Sequence, residues 1–275
     1  MGYRELLVMT SANVAPLPPT AAMLLIQSTL QDTRSTLTVL ASDLLVSRTV
    51  SMVCEMIGFE GPLVTIVQQC GPRSLAQLAI ASDLWISGSR VKCKTISSSH
   101  MSLGSMVTAI LTPSALEQDI NTVDSSLQVR ACAFGLFSTL AYSLVARQLP
   151  QQFEDAAAIA QYRQIPLSDA YRNVVGCSIQ EEAGRLAKAW NLSRELTIAL
   201  QGPRDFDLTR EERLIVGATE VATIAAQSAG VGIEPWPYTV KTDKIEQIAL
   251  IQAMGMRARR VSGQLEGAVA RLKAA

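Results

Sequence analysis

The stretch Arg130-Ala-Cys-Ala-Phe-Gly-Leu-Phe-Ser-Thr-Leu-Ala-Tyr-Ser-Leu-Val-Ala-Arg147 decides the fold, because sixteen residues without a charge separate its two arginines. In a chain that carries 24 basic and 24 acidic residues, a run of this kind predicts a helix enclosed by the rest of the molecule. It falls short of the roughly 20 apolar residues that a membrane span needs. At its centre the polar side chains are Ser138 and Thr139. A buried helix is where an all-helical domain normally keeps its site.

Toward the N-terminus, apolar residues recur at spacings of three and four from Ala21 to Ser82, as on one face of a helix. Asp32-Thr33, Gly58, Gly61-Pro62 and Gly71-Pro72 punctuate the run, and the pattern predicts five short helices. Residues 1–16, apolar and then Pro-rich, read as an arm. The span 87–99 is polar and joins two helical halves as a loop, a short hairpin being the alternative. Helix resumes over 101–111, and Pro113 and Ser125-Ser126 mark breaks before the buried helix.

Beyond it, Pro150 is placed to open a helix over 152–163, and Pro166 opens another. Ser178 followed by Glu181 is a capping-box pattern for a helix running to Trp190. Asn191-Leu-Ser193 starts a short helix, Gly202-Pro203 ends it, and a longer one is expected over 207–227. Residues 230–237 read as a linker. The last segment, 242–272, is amphipathic, with Ile245, Ile248, Ala249, Gln252, Val261, Leu265, Val269 and Leu272 inward and Gly255 as a dividing point.

On these residues the chain resembles the HDOD (HD-related output domain) family. Where that family has Gly-Leu-Leu-His-Asp-Ile-Gly, then Leu-Pro and an aromatic residue, this chain has Gly135-Leu-Phe-Ser-Thr-Leu-Ala141, then Leu149-Pro150 and Phe153. The pattern Gly-x-x-His-x-x-x-Gly-x-x-Leu-x-x-x-Trp-x-Leu is met by Gly176, Ile179, Ala183, Leu186, Trp190 and Leu192. Leu17-Pro18-Pro19 and Ile66-Val-Gln-Gln-Cys-Gly71 carry the N-terminal part, although Asp43 is followed by Leu44 where the family has proline. The resemblance implies an all-α, HD-domain-like bundle, with a five-helix N-terminal subdomain and an HD-like helical one. The implied division is an arm over 1–16, an HDOD domain over 17–230 with halves 17–98 and 99–230, and a linker with an amphipathic helix over 231–275.

Related HD phosphohydrolases hold metal ions with several histidines and aspartates, which lower the pKa of water and clamp phosphate oxygens. Transferred residue by residue, the resemblance puts the His-Asp pair on Ser138 and Thr139, a second His on Ile179, a His-His pair on Pro203 and Arg204, and a late Asp on Thr219. His100, the chain's one histidine, stands where a first metal His would fall; the alternative is a surface or capping residue beside Ser97 to Ser99. One imidazole does not make such a metal set, so no metal, no cofactor and no catalytic residue are expected. The former metal positions are expected to close the space between them, their hydroxyls bonded to carbonyls one turn back.

Other chemistry finds little support. No Gly-rich phosphate loop occurs. The pairs Glu181-Glu182 and Glu211-Glu212 sit at helix starts, where carboxylates serve the helix dipole. Five scattered cysteines without a CxxC spacing read as reduced core residues of a cytoplasmic protein. Equal numbers of positive and negative residues leave no basic stripe for nucleic acid.

The resemblance therefore implies a non-catalytic bacterial signalling domain that acts through protein contacts. Expected partners are regulatory proteins, a receiver or cyclic-dinucleotide domain among them, and a second copy of the chain, with neither nucleic acid nor membrane. The alternative is a small-molecule or nucleotide sensor using the emptied pocket of Ser138, Thr139, Ile179 and Thr219. A metal-dependent phosphohydrolase is the third and weakest reading.

Overall fold

A computed structural model describes residues 16–28, 32–89, 91–119, 123–236 and 245–274, and among the described residues every regular element is an α-helix. The expected N-terminal arm lies almost wholly outside them. The first five helices are α1 (Pro19–Ser28), α2 (Thr33–Ser42), α3 (Leu44–Met56), α4 (Leu63–Cys70) and α5 (Pro72–Gly88). Then come α6 (Ser98–Asp119) and the central α7 (Ser125–Gln148). The second half holds α8 (Pro150–Arg163), α9 (Leu167–Val175), α10 (Ile179–Ala189), α11 (Arg194–Gln201), α12 (Arg210–Ser228) and α13 (Ile245–Ala274).

The five-helix expectation holds, but one break comes from a residue that had not been read as a punctuator. Asp43 closes α2 and opens α3, its carboxylate accepting from the backbone N–H of Leu45 and Val46, both at 3.1 Å. A side chain that satisfies first-turn donors starts a new helix, and the axis turns by 116° there. Asp43 also accepts from the Thr20 hydroxyl at 2.8 Å, and buried Asp83 of α5 accepts from Ala21 N at 2.8 Å, which fixes the start of α1 on the bundle.

The uncharged run forms most of α7, against which α4, α5, α6, α8, α10, α11 and α12 all pack. Phe134, Leu136, Phe137, Leu140 and Val145 are all buried. By length and composition α7 would qualify as a membrane span, yet most of that window is buried inside the protein. Helices α6 and α7 cross closely at Gly135, where an added Cβ would stand 2.4 Å from Thr112 Oγ1.

That crossing explains a correction. Pro113 does not break the chain; it lies inside α6. Proline removes one helical N–H bond and strains the turn before it. Here Ala109 and Thr112 on that turn are seated against Gly135, and α12 and α13 also pack on α6. Tertiary packing overrides the local preference.

Two more expectations change toward the C-terminus. Segment 231–236 is packed rather than open: Gln227 Nε2 donates to the carbonyls of Glu234 (2.9 Å) and Trp236 (3.0 Å), and Trp236 Nε1 donates to Ile165 O (3.0 Å). Gly104 of α6 touches this segment so closely that a Cβ would come within 2.5 Å of the Gly232 carbonyl carbon. Helix α13 runs unbroken through Gly255, where an added Cβ would lie 3.7 Å from Ala225 O of α12. Its inward stripe is Met254, Ala258, Val261 and Leu265, with Ile248 and Gln252 exposed, and it rests on α12, α6 and α3.

The two halves are tied by charge as well as packing. Glu195 of α11 accepts from Gln77 Nε2 of α5 at 3.2 Å and from Arg130 Nη2 of α7 at 3.1 Å, and Arg130 also pairs with Glu211.

Candidate functional site

Where α7 and α12 face each other, they leave a cavity of about 330 Å³. Helices α6, α10 and α11 complete its walls and segment 232–234 covers one side. Its volume falls in the range of small-molecule pockets. Of the positions singled out in the sequence, Ser138, Thr139 and Thr219 line it, as does Pro203. Ile179 does not: the first turn of α10, held by the Ser178–Glu181 capping box, turns Ile179 into the core, and Gln180 lines the cavity instead.

The hydroxyls behave as expected while the space stays open. Ser138 Oγ donates to Gly135 O (2.9 Å), Thr139 Oγ1 to Leu136 O (2.8 Å), Thr219 Oγ1 to Ile215 O (2.8 Å) and Thr223 Oγ1 to Thr219 O (2.8 Å). Bonds of this type hold short side chains against their own helix, so they cannot reach across to fill the gap.

His100 lies outside the lining. It occupies the first turn of α6, where its backbone N–H is capped by Ser97 Oγ at 3.1 Å. The imidazole lies beside the backbone of Gly232 and Glu234, with Nε2 buried and without a hydrogen-bond partner. Burial lowers its pKa, against the opposing pull of those backbone groups.

Two carboxyls at the cavity were not foreseen. Glu234 is buried, with Oε2 accepting from Leu167 N at 3.0 Å, and burial pushes its pKa up to about 8. Glu220 stands at the rim, exposed. No sequence pattern marks either: Glu234 falls in a stretch that reads as linker, and Glu220 is one of several acids on α12.

The residues do not fit the metal set of the HD phosphohydrolases. Ser138, Thr139 and Thr219 present hydroxyls already committed to backbone carbonyls, and Ile179 has no donor atom. Among the described residues no group of three His, Cys, Asp or Glu side chains converges. All five cysteines are free thiols, and burial pushes Cys54 up to about 12 and both Cys70 and Cys177 up to about 11, so they stay protonated and unreactive.

A second polar cluster lies behind α10. Fully buried Glu182 accepts from Arg185 Nη1 at 2.6 Å and from Cys177 Sγ at 3.5 Å, next to the unpartnered Tyr171 hydroxyl.

The architecture is an all-helical bundle in which a central buried helix faces a pocket. Residues 66–202 match the HDOD domain model, and this part of the chain is an HDOD domain. Three solved structures share the fold. An HDOD domain protein of unknown function from Geobacter sulfurreducens is 14% identical with a TM-score of 0.62, over 99% of this chain and 95% of that one. A candidate phosphohydrolase from Shewanella amazonensis is 17% identical with a TM-score of 0.61, over 93% and 96% of the two chains. A candidate signal transduction protein from Marinobacter aquaeolei is 15% identical with a TM-score of 0.59, over 94% of this chain and 58% of that one. At these identities the likeness is one of fold. No curated protein matches the chain.

Proposed function

We propose that this chain is a non-catalytic regulatory domain of a bacterial, cytoplasmic signalling system that works through contacts with other proteins. A regulatory role fits the HDOD family. The observation that carries the non-catalytic reading is the chemistry at the old metal positions. Ser138, Thr139, Ile179 and Thr219 offer three committed hydroxyls and an alkyl chain. Such groups neither neutralise nor orient a divalent ion. A receiver domain, a cyclic-dinucleotide domain or a second copy of the chain is the partner this reading calls for.

The test is turnover of bis-p-nitrophenyl phosphate by the full chain with manganese, iron or zinc. None is expected with any of the three. Turnover that disappears in Ser138→Ala or His100→Ala would overturn the reading. Binding assays against candidate receiver domains then test the contact mechanism, and failure to bind any regulatory partner counts against it.

One observation favours a second reading beside the first. The cavity is open and of ligand size, which supports a sensor module whose occupancy alters the surface that partners meet.

A further inference from the structure

Five of the polar side chains around the cavity have already used their hydrogens. Ser138, Thr139, Thr219 and Thr223 each donate to a carbonyl of their own helix, and Gln227 spends both amide hydrogens on the carbonyls of Glu234 and Trp236. What these groups have left to offer a guest is lone pairs. Glu234 and Glu220 add two carboxyls, and Gln180 adds an amide that can both donate and accept. Among the described residues no Lys, Arg or His lines the space.

The electrostatic surroundings lean the same way. Asp169 of α9 is the charged neighbour felt by Glu234, and it is acidic. His100, behind the covering segment, is held toward its neutral form by burial. Phe134, Tyr142, Ile198 and Ile224 supply aromatic and aliphatic wall, and aromatic rings are hospitable to cations. A phosphate placed here would lose its water, meet no cation and face lone pairs, which is costly in a low-dielectric space. An ammonium or guanidinium group carries only donors and a positive charge.

We propose that the cavity between α7 and α12 takes a small organic cation, an ammonium or guanidinium compound with a short apolar stem, and excludes phosphate-bearing ligands. The proposal rests on the sensor reading and adds to it the charge and chemical class of the ligand. It separates this pocket from a nucleotide site, although both readings begin from the same positions.

The test is isothermal titration of the full chain at pH 8 with agmatine, benzylamine, benzyl alcohol, AMP and inorganic phosphate. Agmatine and benzylamine are expected to bind, with benzylamine about tenfold or more tighter than its neutral analogue benzyl alcohol, and Ser138→Leu, which fills the cavity, is expected to abolish binding. Glu234→Gln should weaken both amines by about tenfold, and Glu220→Gln, at the exposed rim, by about threefold. AMP and phosphate should give no binding heat. Should Glu234→Gln fail to fold, Glu220→Gln still decides the question, because an exposed side chain carries little of the fold. Amine affinity that is unchanged in both carboxyl variants overturns the proposal. AMP or phosphate binding that Ser138→Leu abolishes overturns the ligand class but leaves the sensor reading standing. Silence from all five compounds counts against both.

Discussion

Replacing Glu234 by glutamine should make this protein more resistant to alkaline pH. The carboxyl is 3% exposed, and burial raises its pKa from the ordinary 4.5 to about 8. The folded protein therefore holds a proton that the unfolded chain gives up between those two values. Stability from this group is fully present below about pH 4.5 and falls as pH rises, with the loss complete once pH passes about 8. At about 1.4 kcal/mol for each tenfold change in proton affinity, the loss across the window is roughly 4 to 5 kcal/mol. Glutamine has nothing to ionise, yet its carbonyl oxygen can still accept from Leu167 N, as Oε2 does now at 3.0 Å. Urea unfolding of parent and Glu234→Gln between pH 5 and 9 isolates the effect, since other titrations cancel in the difference. The two curves should run close together at pH 5, diverge up to about pH 8 and stay apart by a constant amount above it, with the variant the more stable. A gap that stays constant from pH 5 to about pH 8 would refute the claim that the fold keeps this carboxyl neutral.

Other perturbations have equally definite outcomes. Gly104→Ala places a methyl group 2.5 Å from the Gly232 carbonyl carbon; urea unfolding should show a loss of about 2 to 3 kcal/mol, in the range of an overpacked core. Arg130→Ala leaves Glu195 with Gln77 as its remaining partner in a mostly buried site, for a cost of about 2 to 3 kcal/mol. In a double-mutant cycle with Glu195→Ala the two losses should fall well short of additive, and additive losses would deny the coupling. Phe137→Ala, from a side chain with no exposure in the middle of α7, should cost about 3 to 5 kcal/mol by the same measurement.

The fold was legible where one physical signal dominated. Sixteen uncharged residues could only be α7, and the Ser178–Glu181 pair fixed the start of α10 to the residue. Reading failed where a residue's meaning depended on its neighbours in space. Pro113 looked like a stop, but its helix is held by contacts from α7, α12 and α13 that no local pattern displays. Asp43, followed by Leu44 where the family has proline, was not counted among the breaks, yet its side chain turns the chain. A start for α12 was expected at Asp207, whereas the capping box of Thr209 and Glu212 sets it at Arg210, three residues past that point. At the site, the positions of Ser138, Thr139 and Thr219 followed from the resemblance to the HDOD and HD motifs. Glu234 could not follow, because its burial depends on a close approach at Gly104 and on bonds from Gln227 and Leu167, all distant in sequence or hidden in an apparent linker.

The packing of segment 231–236 also bears on how the chain can be shortened. Ending it at residue 230 would strip the cover from the cavity, leave the Gln227 amide without acceptors and uncover the groove at Gly104. The smallest self-sufficient piece should therefore extend at least to Trp236, whose indole is anchored on Ile165, and any cut meant to remove α13 alone belongs after that tryptophan.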